Sequence, residues 1–387
     1  MSTLSTRPAD EDYDSCIKDE FGVVYSADGQ RLLKCINNEL ENYVIKEGTE
    51  TICDDAFRFC HCLKQITIPD SVKNIGEMIF VECKSLRQIT IPAAVTRIRQ
   101  NTFNNCSSLQ QITIPDSVKM IEDCAFGGCS SLQEFIIPSS INDIEDNPFV
   151  YCENLQIKSK SSRFVIQDNF LIDKQNSILK TYFGNDENVI IPKGVMAIGN
   201  MAFAYKSIQQ VTIPDTVTTI ENNAFFSCKH LQQITIPNTV MSIGKSAFYE
   251  CKSLQQITIP DSVESIGSST FRNCESLQQI TLSNFITSID EYTFYNCFSL
   301  KQIDIPHSVT QIKDRAFEAC KSLQQIYLPD SVERIGYWAF NGCSSLKQIN
   351  IPAYIKTIGE DAFNGCDLLP TTIIPESVKM KEPELPF

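Results

Sequence analysis

A phenylalanine, usually preceded by alanine, recurs through most of this chain at a fixed spacing. It stands at Phe57, Phe80, Phe103, Phe126 and Phe149, and again at Phe203, Phe225, Phe248, Phe271, Phe294, Phe317, Phe340 and Phe363. One interval in the second series is 22 residues and all the others within the two series are 23. Such a period constrains the fold more than composition does, because each unit must be one coil of a stacked array. The short interval falls at AFAYKSIQQ (202–210), where the sequence reads as a unit missing its cysteine.

One unit runs CKSLQQITIPDSVESIGSSTFRN (251–273). Gln256, Ile257, Thr258 and Ile259 alternate polar and β-branched apolar residues, the signature of a strand buried on one side. Pro260 has no N–H to give to a ladder and ends the strand. Seven side chains then point inward: Cys251, Leu254, Ile257, Ile259, Val263, Ile266 and Phe271. Burying seven side chains does not offset the entropy of ordering a whole coil, so stability must reside in the stack.

The pattern C-x-x-L-x-x-I-x-I-P-x-S-V-x-x-I-x-x-x-A-F-x-x resembles the BspA-like leucine-rich repeat, the 23-residue class of bacterial and protist surface antigens. The resemblance covers residues 50–378. It implies a mostly β leucine-rich repeat solenoid, a curved right-handed coil stack with a parallel β-sheet on the concave face. For some members it also implies an adhesin role on host proteins.

Between Phe149 and Phe203 the period lapses. FVIQDNFLI and SILKTYF flank the polar DKQN, which reads as a β-hairpin. The N-terminal FGVVYSADGQRLLKCI reads the same way around ADG. Leu32–Phe57 aligns with Ile178–Phe203 at an offset of 146, and nine of the 26 positions are identical, Gly48 and Gly194 among them. The chain therefore divides into a disordered acidic segment (1–20), a hairpin cap (21–46), five coils (47–152), a hairpin-bearing interruption (153–192), eight coils (193–378) and a tail (379–387). The first hairpin is expected to cap the stack, and the second to project from its side while the core continues beneath. Near the end, Thr372 stands where other coils have Ile. The tail either lays Met380, Leu385 and Phe387 over the last coil or is disordered, and its prolines favour disorder.

Twelve of the 17 cysteines occupy one column, three residues after the phenylalanine, from Cys60 to Cys366. Stacked equivalents lie roughly 4.8 Å apart with parallel Cβ vectors, too far for a disulfide and in a line rather than a tetrahedron. A buried ladder of small polarizable side chains follows, with no metal and no cofactor. Cys53, Cys60, His61 and Cys62 have zinc-like content but no known ligand spacing. The phenylalanines read as a continuous aromatic spine. Gly76, Gly199, Gly244, Gly267, Gly336 and Gly359 share a column with Arg99, Glu122, Asp290 and Lys313, so the position reads as a permissive turn rather than a left-handed one.

Thirty-three basic against 47 acidic residues gives a net charge of −14, which argues against nucleic acid as a partner. No run of 18 apolar residues is present to span a membrane. The opening MSTLSTRPADEDYDS is acidic and lacks an apolar core, unlike a secretory signal. With an odd number of cysteines, this favours the cytoplasm, while the family resemblance also allows the cell surface. His61, His230 and His307 occupy three different coil positions without a nucleophile nearby, and Ser and Asp recur only in PDS turns. The expectation is a non-enzymatic monomer that binds a protein partner.

The candidate partner face is the strand's outward side. Gln recurs in its third column (Gln111, Gln233, Gln256, Gln279, Gln302, Gln325) and Thr in its fifth (Thr67, Thr90, Thr113, Thr212, Thr235, Thr258, Thr281). Stacked Gln amides are expected to hydrogen-bond along the sheet. A regular Thr array also suits a structural, water-ordering surface. After Thr281 the pattern breaks. Leu282-Ser283-Asn284-Phe285 replaces I-P-D-S, and Asp304, Tyr327 and Asn350 replace Thr. Lys301 and Lys347 replace Gln in the adjoining column, His307 takes the Asp position, and Tyr354 takes the Ser position. Mixed charge with exposed tyrosine suits a binding site, which makes Lys301, Asp304, His307, Gln325, Tyr327, Lys347, Asn350 and Tyr354 the candidate contacts.

Overall fold

A computed structural model describes residues 5–370 and 379–381. The chain is a mostly β solenoid of parallel coils and divides into two compact units, 1–176 with 180–184, and 177–179 with 185–387. The repeat dictates the coil. In the unit at 251–273 all seven expected inward side chains are buried, and Gln256–Thr258 alternates exposed, buried, exposed. Its strand pairs in parallel with Gln279–Thr281 one coil on, Ile257 opposite Ile280.

Each coil also carries a second ladder that the alternation did not reveal. The two residues ending at the later Ile form a short parallel strand, as Ser242–Ile243 pairs with Ser265–Ile266. Two residues are too few to show a period.

A third set of coil-to-coil bonds surrounds the spine phenylalanine. Ser246 N, Phe248 N and Glu250 N donate to the oxygens of Ser268, Thr270 and Arg272 at 2.9, 3.0 and 2.8 Å. To aim alternate amides this way, the residues two before and two after the phenylalanine adopt left-handed φ: 54° at Ser246 and 56° at Glu250. Such a conformation costs about 1–2 kcal/mol for an L-residue, and the hydrogen bonds hold it. The left-handed turns thus fall beside the phenylalanine and are filled mostly by other residues than glycine.

The column of Gly76 has ordinary φ, as expected, yet its space is not permissive everywhere. A Cβ on Gly267 would lie 2.4 Å from Lys245 N in the coil before it. Glycine there permits close backbone approach.

The phenylalanines stack as a spine within each unit. Ring centroids are 5.5–5.7 Å apart from Phe57 to Phe149. From Phe203 to Phe363 they are 4.9–5.7 Å apart. At the short interval, Lys206 N donates to Phe203 O at 3.1 Å, as Cys228 N does to Phe225 O. Lys206 therefore fills the cysteine's backbone position, and the dropped residue belongs to the turn before Ile208.

Both interruptions are three-stranded in sequence order rather than simple hairpins. At the N-terminus Ile17–Lys18 pairs antiparallel with Val23–Tyr25, which pairs with Arg31–Cys35. A short helix, Glu11–Asp14, precedes them, and Asp12 bonds Arg31 at 2.7 Å. The helix is thus tied to the cap by an ion pair and Ile17–Lys18 by strand pairing. In the second interruption Phe164–Gln167 pairs with Phe170–Asp173 around Asp168 and Asn169, at φ 49° and 64°. Two central residues at positive φ make the hairpin turn that matches strand twist, so DN closes a first turn, and DKQN joins Phe170–Asp173 to its neighbouring strand Ile178–Tyr182, as expected. All four residues of Phe170–Asp173 are buried, and Phe164 and Leu171 join the first unit's core. This hairpin packs into that core instead of projecting.

The duplication is visible in the backbone, with Gly48 at φ 88° and Gly194 at 95°. At the C-terminus Lys379–Lys381 extends the short ladder in parallel with Thr357–Gly359, Met380 in register with Ile358. Thr372, Leu385 and Phe387 lie outside the described residues.

Candidate partner-binding face

Polar side chains that fix one coil on the next must be separated from those left over for a partner. The recurrent Ser of PDS belongs to the first group. Ser262 Oγ donates to Val240 O and Ser331 Oγ to Val309 O, each at 2.7 Å. The cysteine column does the same inside: Cys274 Sγ donates to Phe248 O at 3.2 Å and Cys297 Sγ to Phe271 O at 3.2 Å. The buried thiol ladder is thus also a hydrogen-bond ladder. Burial pushes these thiols up, well above their usual range at Cys251 and Cys297, so they stay protonated donors.

The glutamines differ from the expectation. They are exposed on the strand's outward side, and among the described residues no Gln side chain of the column hydrogen-bonds to its neighbour. Their amides are left for solvent or a partner. A shallow groove runs along Gln210, Thr212, Gln233, Thr235 and Gln256 on this side of the second unit.

The break after Thr281 separates the eight candidate residues into groups. Asp304, Tyr327 and Asn350 are in register across three coils. Gln325 lies two residues before Tyr327 on the same outward side, opposite Gln348. Lys301 and Lys347 flank this row, joined through Gln324, whose N donates to Lys301 O while its O accepts from Lys347 N. His307 and Tyr354 stand past the strand-ending prolines, both exposed and in different turn columns. In the Asp304 coil the regular strand is reduced to the single bridge to Tyr327.

Exposure grades the members. Tyr327 is 53% and Tyr354 76% exposed. Asn350 is spent on the fold, since its Nδ2 donates to Leu328 O at 2.7 Å and its Oδ1 accepts from Leu328 N at 2.8 Å. Both polar ends of its amide are thereby satisfied within the stack.

One exposed aromatic on this stretch was read as part of the break but not among the candidate contacts. Phe285, 60% exposed, occupies the Ser position of its coil. Ser283, in the usual Pro position and fully buried, supplies the missing hydroxyl to Val263 O at 2.6 Å. The signal lay in the paired exchange of Pro and Ser within LSNF.

Elsewhere, Cys53 and Cys60 are buried while His61 and Cys62 are exposed, and His61 Nδ1 lies 2.8 Å from Glu82 O. Among the described residues no group of three or more His, Cys, Asp or Glu is placed to hold a metal ion. No helix among them is long and apolar enough to cross a membrane.

The BspA type Leucine rich repeat region (6 copies) matches residues 34–156, 196–324 and 287–383. The chain belongs to this family. As a BspA-type repeat protein it is similar to a leucine-rich repeat protein from Bacteroides ovatus. The two are 28% identical, over 97% of this chain and 100% of that one, with a TM-score of 0.55. A leucine-rich repeat protein from Eubacterium ventriosum is 22% identical over 92% of this chain and 95% of its own, with a TM-score of 0.67. That second likeness speaks to fold alone. No curated protein matches.

Proposed function

We propose that the chain is a non-enzymatic recognition module that binds a protein partner on the outward side of its Gln-Ile-Thr strands, around Tyr327. The observation carrying this reading is the exposed row of Asp304 and Tyr327, flanked by Lys301 and Lys347, on a side whose Gln amides make no bonds along the stack. A tyrosine beside opposite charges can bury a large rigid ring and orient it by hydrogen bonds, as interface anchors do. Membership of a repeat family of protein-interaction and surface-antigen modules supports the same class.

The test compares partner capture by Tyr327→Ala plus Asp304→Ala with capture by Thr113→Ala plus Thr235→Ala, at matched melting temperature. The first pair is expected to lose the partner. Loss only in the second pair places the site elsewhere on the strands. Whether the partner is intracellular or, as in an adhesin, an extracellular-matrix protein is decided by cell fractionation with surface proteolysis.

A further inference from the structure

The turn around each spine phenylalanine carries two side chains beside the spine, one two residues before it and one directly after. In the first unit the position after the phenylalanine holds Arg58, Val81, Asn104, Gly127 and Val150. In four successive coils of the second unit it holds Phe226, Tyr249, Arg272 and Tyr295. The rings of Phe226 and Tyr249 lie parallel within 1° at 4.6 Å. The Arg272 guanidinium then lies 5.7 Å from the Tyr249 ring, 4.9 Å from Tyr292 and 4.7 Å from Tyr295. Arg315 continues the row, 5.8 Å from Tyr292 and 4.5 Å from Trp338. At roughly 4.8 Å per coil this strip is about 24 Å long.

Coil packing does not require an aromatic row. The spine already fills the core, and the same columns of the first unit carry no Tyr, Trp or Phe, holding residues such as Val81, Asn101, Asn104 and Gly127 instead. All of the strip's side chains are half-buried, neither fully inside nor freely solvated. Tyr, Trp and Arg are the residues that dominate binding energy at protein interfaces.

Charge identifies the occupant. Arg315 is neutralised by Glu318 at 2.9 Å. Arg272 makes no ion pair among the described residues, and its Nε is buried without a hydrogen-bond partner. Its faces are occupied by tyrosine rings, which leaves the edge N–H groups, the geometry that receives a carboxylate. The net charge of −14 disfavours any polyanion at long range, so an acidic segment is held here at short range, by one uncompensated cation between aromatic rings.

We propose that the strip is a docking surface for an extended acidic protein segment, with Arg272 receiving a carboxylate and the flanking rings covering its apolar or prolyl neighbours. It lies on a different arm of the coil from Tyr327 and does not depend on that row.

The chain's single tryptophan sits on the strip, so the intact protein reports its own occupancy. Trp338 fluorescence and calorimetry are followed on adding an alternating Glu-Pro dodecapeptide, with a Lys-Pro dodecapeptide and a single-stranded oligonucleotide as comparators. The Glu-Pro peptide is expected to bind, change the Trp338 emission and weaken with salt. Arg272→Gln and Tyr295→Ala should each weaken it about tenfold or more at unchanged melting temperature, while Tyr327→Ala should not. Absence of Glu-Pro binding, equal affinity for the Lys-Pro peptide, preference for the oligonucleotide, or full affinity in both folded strip variants overturns the proposal.

Discussion

The thiol of Cys251 donates to the main-chain oxygen of Phe225 in the preceding coil, at 3.3 Å. The same oxygen accepts the N–H of Cys228 at 3.1 Å, so the cysteine column closes the turn and ties it to the next coil. Cysteine suits the position because it is small, tolerates burial and keeps one donor. Cys251→Val removes the donor at a slightly larger, branched side chain, and is expected to cost at least about 0.5–1.5 kcal/mol in denaturant unfolding. A valine variant as stable as the wild type means that the sulfur only fills space.

Thiol reactivity follows from the same burial. Cys16 and Cys62 are exposed and Cys124 is half-buried, with its thiol pushed up to about 11 by burial. The native protein at neutral pH is expected to show two fast-reacting thiols, and the denatured protein all 17. Rapid modification of many more without unfolding would contradict a buried column.

The aromatic spine gives a larger effect. Phe248 is fully buried between rings 5.3 and 5.6 Å away. Phe248→Ala opens a cavity that stacked coils cannot close without breaking their ladders. Its expected cost is about 3–5 kcal/mol, read as a lower denaturation midpoint.

The sequence spoke most clearly where one period governs many residues. Spine, inward side chains and the Gln-Ile-Thr strand all follow from the 23-residue repeat, because each copy repeats the same burial. What failed were features fixed between coils. The left-handed turns at Ser246 and Glu250 carry no glycine signal, since hydrogen bonds to the next coil hold them. The Ser242–Ile243 strand is too short to alternate. At the candidate site, Tyr327 and Tyr354 were legible as departures from a monotonous column. That Asn350 is committed to Leu328 depends on side-chain geometry that no pattern encodes.

The pH dependence of one edge of the first unit has a definite sign. Burial, with the nearby Asp146 charge, raises the Asp123 carboxyl above its usual range, and burial with Asp123 raises Glu145. A folded pKa above the unfolded one means that the native state binds more protons, so stability falls as pH rises through that window. Asp123→Asn keeps the oxygen that accepts Asp146 N at 2.8 Å and removes the charge. The variant is expected to melt higher than wild type at pH 7, with the gain shrinking toward pH 4. Parallel melting curves across that range would show that Asp123 is not strained by its charge.

The exchange at 283–285 yields a coupled prediction. In most coils proline ends the strand and the serine two residues later donates to the preceding coil, as Ser262 does to Val240 O at 2.7 Å. Here Ser283 takes the proline position and donates to Val263 O at 2.6 Å, which releases position 285 for an exposed phenylalanine. Ser283→Pro alone strands a buried carbonyl and should cost about 1–3 kcal/mol. Phe285→Ser alone duplicates a donor already present and should change little. The double variant restores the repeat's own arrangement, with the hydroxyl introduced at position 285 donating in place of the one removed from 283, and should recover most of the loss. A thermodynamic cycle over the four proteins is therefore expected to show coupling of about 1 kcal/mol or more. If the two effects simply add, Ser283 is not the functional substitute for the missing serine, and the exposed Phe285 has some other origin.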